Sequence, residues 1–583
     1  MRYPTIRICW LLWLAVFTLA AAPAYAQTPR VSVQVDGVGG EVRENVLAFL
    51  SLYAQRAHPA LSEGRIRTLH RRAEEEIRRA LEPFGYYRPT VRTSLEQRET
   101  DWLARYEINP GPRIPLTEVD VQIIGEGADT PAFRETLRTL PLQRDAPLEH
   151  ARYEQAKRAL QRTAASYGYL NARLVRHELR IDLEAYEASA VLHLDSGPRF
   201  RLGEVEFHPT VVRPELLQRF VPFEPGEPYR SARLLELQTA LGDSNYFADV
   251  VVQPRHDQEE DLELPVEVRL TPRERQQYTV SLGYGTDTGA RTGLGFENRY
   301  VNARGHRLRG DMLIAERRNR IAARYIVPVR DPRTDSIEYS AAWQDEQART
   351  FRSETLQISA GHTRARGSWR ETIALTYLDE RYTIADQRDR STLWMPSGSW
   401  TRIWADDRIY TRRGGQFGFD VRGAAEELGS DVDFTQSRVQ GTLIRPLLPR
   451  SRIILRGEAG TTLIGDINEL PASLRFTAGG DHSVRGYAYR SLGPTDAEGR
   501  VVGGKHLLFG SVEYEHTLYG LWSAALFYDR GNAINSISDP LESGAGFGVR
   551  WRSPVGLIRL DVASAISQPG NPWRLHLRIG PDL

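Results

Sequence analysis

The sequence predicts two architectures in one chain: three α+β modules of β-α-α-β-β plan on the periplasmic side, then a 16-stranded transmembrane antiparallel β-barrel. Three observations predict it. An export leader opens the chain, a unit of about 80 residues recurs three times between 29 and 272, and from about Tyr278 helical periodicity gives way to alternation.

The leader comes first. Arg2 and Arg7 precede the apolar core "ICWLLWLAVFTLAAA", and Ala24–Ala26 follows as a small-x-small site. This is the pattern of a secretory signal covering 1–26, cleaved before Gln27. Cys9, the only cysteine, lies inside it, so the mature chain has no disulfide or thiolate metal site. Losing the leader's two arginines leaves 74 basic and 75 acidic residues, a balance that gives no nucleic-acid footprint. No apolar run of 18 follows residue 26, so no second spanning helix is expected. Alternating strands could still span a bilayer.

The modules are read from their echoes. "INPGPRIPLTEVDVQIIG" (108–125) returns as "LDSGPRFRLGEVEFHPT" (194–210), and "FGYYRPTV" (84–91) returns as "YGYLNARL" (167–174) and, more loosely, "SNYFADVVV" (244–252). Each unit opens with a strand, continues with two helices, turns at Gly or Asn beside an aromatic, and closes with two strands. Ile66, Leu69, Ala73, Ile77 and Ala80 stand at helical spacing in the first unit; Leu234, Leu237 and Leu241 do so in the third. The predicted boundaries are 27–114, 115–200 and 201–273, with the barrel over 274–583.

In the barrel segment "QYTVSLGYG", Tyr278, Val280, Leu282 and Tyr284 share one face, and Thr279, Ser281, Gly283 and Gly285 the other. Trp522, Ala524, Leu526 and Tyr528 form a face, as do Ile558, Leu560, Val562 and Ile566, opposite Arg559 and Asp561. A soluble sandwich would also alternate. The leader, the Arg and His on the polar face, and the Trp and Tyr at segment ends favour a membrane barrel with a wet interior. About 16 segments fit before Gly580. Connections after even-numbered segments are short ("NARG", "RARG", "LLPR", "LYG", "RSPVG"), and several after odd ones are long ("RYTIADQRDRSTL", "NAINSISDPLESG" and 465–503). That asymmetry puts the modules on the periplasmic side.

Two families of motif carry a resemblance. The Gly-Tyr turns and "PGEPYRSARLLELQTALGDSNYF" (225–247) resemble POTRA domains. Phe476, Gly479, Gly480, Ser483, Val484, Arg485, Gly486 and Tyr487 match the F-x-x-G-G-x-x-S-V-R-G-[FY] hallmark of the outer-membrane insertase superfamily that includes BamA, TamA and the two-partner secretion transporters. Phe527, Asp529 and Gly531 match its F-x-D-x-G motif, and "DDRIYTRRGG" (406–415) resembles its acidic turn. Three modules and the ending "LHLRIGPDL" resemble the TamA branch.

The resemblance implies a sixth surface loop folded into the lumen, where Arg485, with Val484, Gly486 and Tyr487 around it, latches onto Asp529. Alternation puts Asp529 and Glu513 on the inner face. The resemblance also implies a lateral seam between the first strand (Tyr278, Leu282, Gly283, Gly285) and the last (Leu575, Leu577, Ile579, Gly580). Two glycines give strand one few cross-strand contacts, and Pro581 cannot donate to a ladder. Strand one is therefore expected to pair with strand sixteen, in the weakest pairing of the barrel. The implied function is assembly or secretion of outer-membrane proteins such as autotransporters, with unfolded clients, the lipid bilayer and a TamB-like inner-membrane-anchored partner at the N-terminal modules. A passive pore, a two-partner-type channel and a general BamA-like insertase are the alternatives.

No enzyme is expected. "GYGTDTG", "GLGF" and "GAGFG" lack the P-loop spacing and read as small residues on an inner face. There is no G-x-S-x-G elbow and no H-E-x-x-H among the 13 histidines. Asp406, Asp407 and Arg408 have no nucleophile or base at a fixed spacing, so no cofactor or metal is called for.

Overall fold

The computed structural model describes residues 30–579 except 60, 100, 260, 408, 554 and 555. The leader, Arg408 and Gly580–Pro581 lie outside the described residues.

The first module runs β1 (Arg30–Asp36), α1 (Gly40–Phe49), α2 (Ser51–Gln55), α3 (Glu63–Leu81), β2 (Thr90–Arg98) and β3 (Asp101–Asn109). The second runs β4 (Leu116–Ile124), α4 (Pro131–Thr139), α5 (His150–Ser166), β5 (Arg173–Asp182) and β6 (Glu187–Asp195). The third runs β7 (Arg201–His208), α6 (Pro214–Gln218), α7 (Ser231–Asp243), β8 (Phe247–Pro254) and β9 (Glu263–Pro272). In each, the opening strand lies parallel to the closing one, which sits in the middle of a three-stranded sheet. This is the expected β-α-α-β-β plan, with α2 as an extra short helix in the first module. The periodic residues Ile66, Leu69, Ala73, Ile77 and Ala80 are buried against β1 and β3 residues such as Val35 and Tyr106. The turn residues Gly85, Gly168 and Asn245 all have positive φ, the left-handed position that ends a helix.

The chain forms two compact units. One reaches to Phe200 and includes Pro228–Ser231; the other comprises Arg201–Glu227 and Ala232 onward, so most of the third module belongs with the barrel. Within that second unit, Arg213 N donates to Ala303 O at 2.7 Å and Tyr246 Oη to Gly305 O at 2.6 Å. The third module is thereby fixed on the short turn 302–305.

Sixteen antiparallel strands follow in simple sequence order: β10 (Gln276–Gly285), β11 (Gly289–Asn298), β12 (Arg307–Ala315), β13 (Arg318–Pro328), β14 (Asp335–Gln347), β15 (Phe351–Arg366), β16 (Trp369–Ile384), β17 (Gln387–Ala405), β18 (Gly414–Ala424), β19 (Phe434–Leu448), β20 (Ser451–Ile464), β21 (His506–Tyr519), β22 (Trp522–Ile534), β23 (Glu542–Ser553), β24 (Gly556–Ala565) and β25 (Trp573–Ile579). The apolar residues of one alternation, such as Leu526, Phe547 and Leu575, are exposed on the outer wall, where lipid lies.

Two expectations are corrected. "RYTIADQRDRSTL" is not a long connection: β16 and β17 pair as far as Ile384 and Gln387, leaving only Ala385 and Asp386 as the turn. The charges misled, because they pair across strands: Asp379 Oδ1 accepts from Arg390 Nε at 3.0 Å. The second correction concerns closure. β10 and β25 end the sheet, and no ladder joins them among the described residues.

Candidate functional site

Residues 465–505, between β20 and β21, turn back into the barrel as the sixth surface loop. Short backbone bridges, Phe476 with Gly504 and Ala478 with Leu492, give it a hairpin stem. Gly479, Gly480 and Gly486 take φ of 98°, 108° and 97°, which Cβ-bearing residues rarely adopt. At the tip, Val484 is fully buried and packs with Phe476, Tyr487, Phe509 and Ala565.

Arg485 enters the wall formed by β21 to β24. Its Nε lies 2.7 Å from Asp529 Oδ2, and its Nη2 2.9 Å from Asp529 Oδ1, a two-pronged fit of guanidinium to carboxylate. Its own backbone N–H donates to Asp529 Oδ2 at 3.1 Å. Nη1 reaches Glu513 Oε2 at 2.8 Å and Asp561 Oδ2 at 3.2 Å. Its guanidinium carbon stands 3.4 Å from the centroid of the Phe527 ring. Arg550 bridges the far sides of the same acids, with Nη2 2.7 Å from Glu513 Oε1 and Nη1 on Asp561 Oδ1. Arg456 Nη2 approaches Asp529 Oδ1 at 3.8 Å.

Asp529 and Arg550 are fully buried, and a cavity of about 50 Å³ lies beside Arg485. These side chains are almost entirely withdrawn from solvent, so their charges must neutralise one another. Three arginines meet three carboxylates there. Gly531, from the F-x-D-x-G motif, allows β22 to pack closely on β21: a Cβ there would lie 2.6 Å from Leu508 O.

The wall is shaped for this. Gly544, Gly546 and Gly548, the "GAGFG" stretch of β23, face inward. A Cβ on Gly544 would lie 1.9 Å from Arg485 O, and one on Gly548 would lie 1.9 Å from Asp561 Oδ1. The two tyrosines of the loop brace it against opposite walls. Tyr487 Oη donates to Glu542 Oε2 at 2.8 Å on β23, and Tyr489 Oη to Glu346 Oε1 at 2.9 Å on β14. Ser473 N donates at 3.0 Å to the buried Glu380 of β16. Sequence reasoning did not single out Glu346, Glu380, Glu542, Arg456 or Arg550. Asp561 was legible as inward-facing, but its partner was not.

The seam residues are arranged differently from the expectation. Tyr278 and Leu282 are 72% and 82% exposed, on the lipid-facing side of β10. Thr286 N meets Leu577 O at 3.4 Å, which sets residue 286 opposite 577. From that anchor, antiparallel register puts Gly285 opposite Arg578 and Tyr284 opposite Ile579. Among the described residues, 276–283 have no partner on β25. Leu575, above the anchor, lies opposite no residue of β10. Among the described residues, β10 and β25 meet at 286 and 577 rather than along a ladder. Gly283 has a different role within β10–β11: it makes room for Arg291, whose Nε would lie 2.8 Å from a Cβ there.

Elsewhere, the turn 406–413 joins β17 to β18. Asp406 Oδ1 and Oδ2 accept from Arg412 N and Arg413 N, at 3.0 and 3.1 Å, which is a backbone-tying role. Nearby, Arg452 Nη2 pairs with the buried Glu515 at 2.6 Å.

Fold and site together define a class: a membrane β-barrel plugged by one in-folded surface loop held on a buried arginine, with α+β modules ahead of it. Within that class the chain belongs to the Omp85 superfamily. The model described as "Omp85 superfamily domain" matches residues 274–582, more than half of the chain. Residues 32–110 match "POTRA domain TamA domain 1", and residues 200–273 match "Surface antigen variable number repeat", a POTRA model. It follows that the barrel lies in the outer membrane with its POTRA modules in the periplasm.

A curated relative, "Outer membrane protein assembly factor BamA" of Nitratidesulfovibrio vulgaris, is 24% identical over 370 residues, 60% of this chain and 46% of that protein. The match thus spans about half the length of that relative. The crystal structure of BamA from Haemophilus ducreyi lacking POTRA domains 1–3 superposes with a TM-score of 0.69 at 15% identity, covering 80% of this chain and 99% of that one. That likeness is one of fold.

Proposed function

We propose that this protein is an outer-membrane assembly factor that helps insert or secrete outer-membrane proteins through the gap between β10 and β25. The observation that carries the reading is that, among the described residues, no ladder joins 276–283 of β10 to β25. In lipid, unpaired backbone groups cost several kcal/mol each, so an edge strand there has a strong drive to take a partner. A client strand adding to residues 276–283 would satisfy both edges, as strand addition does elsewhere. The chemistry is non-covalent: the client strand would supply backbone hydrogen bonds to β10.

In this reading residues 27–114, 115–200 and 201–273 are the periplasmic modules. Arg485, with Val484, Gly486 and Tyr487, is the latch, and Asp529, Glu513, Phe527 and Gly531 are its seat. The finer assignment is to the TamA branch. The number of modules and the match of the first to a TamA POTRA model support it. A TamB-like partner at the N-terminal modules and autotransporter-type clients follow from that branch.

The test is a disulfide across the anchor. Gly285→Cys with Arg578→Cys is expected to cross-link and to stop client assembly, with recovery on reduction. Full cross-linking with unchanged assembly would overturn the proposal. A passive pore would instead give large, steady single-channel openings.

A further inference from the structure

We infer that Thr286, Asp481 and His576 form a clasp through which the sixth loop holds the two seam strands together, so that loop seating and lateral opening are one event. The inference deepens the lateral-gap reading and rests on it for its consequence.

The three residues come from three places brought together here: the turn after β10, the tip of the loop, and the middle of β25. Thr286 Oγ1 donates to both Asp481 oxygens, at 3.0 and 3.1 Å. The same oxygen accepts from Leu577 N at 3.0 Å. One hydroxyl thus joins the loop, the end of β10 and the backbone of β25, and it occupies the position that a ladder bond would otherwise take. Asp481 N donates to Asp287 Oδ2 at 2.6 Å, a second tie from loop to turn. His576 Nδ1 lies 2.5 Å from Asp481 Oδ1, a tie from loop to β25.

The tautomer is set by the far side of the ring. Gly486 N donates to His576 Nε2 at 2.9 Å, so Nε2 is an acceptor and the proton on Nδ1 points at Asp481. Gly486 adjoins the latch Arg485, so the latch and the clasp share one backbone segment. Asp481 and Asp287 are 8% exposed and His576 2%, so water does not substitute readily for these bonds. The ligand-capable atoms of Asp287, Asp481 and His576 lie within 4.8 Å of one another. Both ring nitrogens are already engaged, which makes the group a hydrogen-bond clasp. Without it, among the described residues, the backbone bond from Thr286 N to Leu577 O is what would remain to hold strand ends that no ladder joins.

The test measures the seam directly in the full-length barrel. Spin labels on Leu282→Cys and Leu575→Cys sit on the lipid side, away from the clasp, and Cys9 is removed with the leader. Thr286→Val and Asp481→Asn are expected to lengthen and broaden the inter-label distances, while Thr286→Ser, which keeps the hydroxyl, preserves them. Heat-modifiable gel migration confirms that each barrel is folded. Unchanged distances in both Thr286→Val and Asp481→Asn would overturn the clasp, as would a Thr286→Ser variant as loose as the valine. A seam that loosens while client assembly stays normal would support the clasp and count against the lateral-gap reading instead.

Discussion

At the scale of single residues, the site is a problem in buried charge. Truncating Arg485 leaves Asp529 and Glu513 facing each other's charge with less cation between them. Breaking a buried pair costs about 3–5 kcal/mol. Arg485→Ala is therefore expected to unseat the loop while the barrel, held by its strand ladders, still folds. Protease nicking within 465–505 should rise, and wild-type protection in the mutant would sink the idea. Asp529→Asn should act similarly, and the double variant should cost less than the sum, since both remove one coupling.

Asp287, in the turn outside the spanning strands, gives a pH prediction. Burial, and then the charge of Asp481, push its carboxyl up from 3.8 to about 6. An acid raised in this way binds more protons folded than unfolded. Its contribution is fully present below the ordinary value and is lost as pH rises through about 6. Amide protection factors around residue 481, corrected for the intrinsic pH dependence of exchange, should be higher at pH 5 than at pH 8. His576 and Arg317 also face this carboxyl, so Asp287→Asn is the control that should flatten its share of the difference.

At the scale of elements, β23 and the loop tip work as one interlock. Gly544 and Gly486 give up side chains so that the Arg485–Gly486 backbone can lie on the wall. Gly486→Ala would meet Ala565 N at 2.8 Å and take a φ of 97°, a strain of about 1–3 kcal/mol before any overlap. Gly544→Ala is expected to be worse, since its contact is backbone at 1.9 Å. Both should expose the loop to protease as Arg485→Ala does. A fully protected loop in Gly544→Ala would show that the wall tolerates what its geometry forbids.

At the scale of the whole molecule, the two compact units predict separable folding. Residues 27–200 contain two complete cores and should fold alone with a cooperative melt. Within that fragment Leu69→Ala should cost about 2–5 kcal/mol, because Leu69 is buried in the middle of α3. Extended to 273, the third module should melt earlier than in the intact protein, since it loses its bonds to Ala303 and Gly305. A third module equally stable without the barrel would contradict this.

What the sequence determined by itself was whatever depends on local period and local sterics. The helical spacing of Ile66 to Ala80, the left-handed turn positions at Gly85 and Gly168, and the alternation that turned Asp529, Glu513 and Asp561 inward are set by residues a few positions apart. The hallmark around Arg485 was legible for the same reason: its glycines and arginine are contiguous. Only the tertiary structure decided which inward charges meet. Arg550, Glu346 and Glu380 sit on strands far apart in sequence, and no spacing rule connects them to a loop that folds in from above. The seam likewise depended on contacts distant in sequence. The contact of Thr286 with Leu577 joins segments 291 residues apart, which no local pattern displays. Charged residues in 381–393 looked like a loop because their partners lie across the strand pair, where the chain alone does not display them.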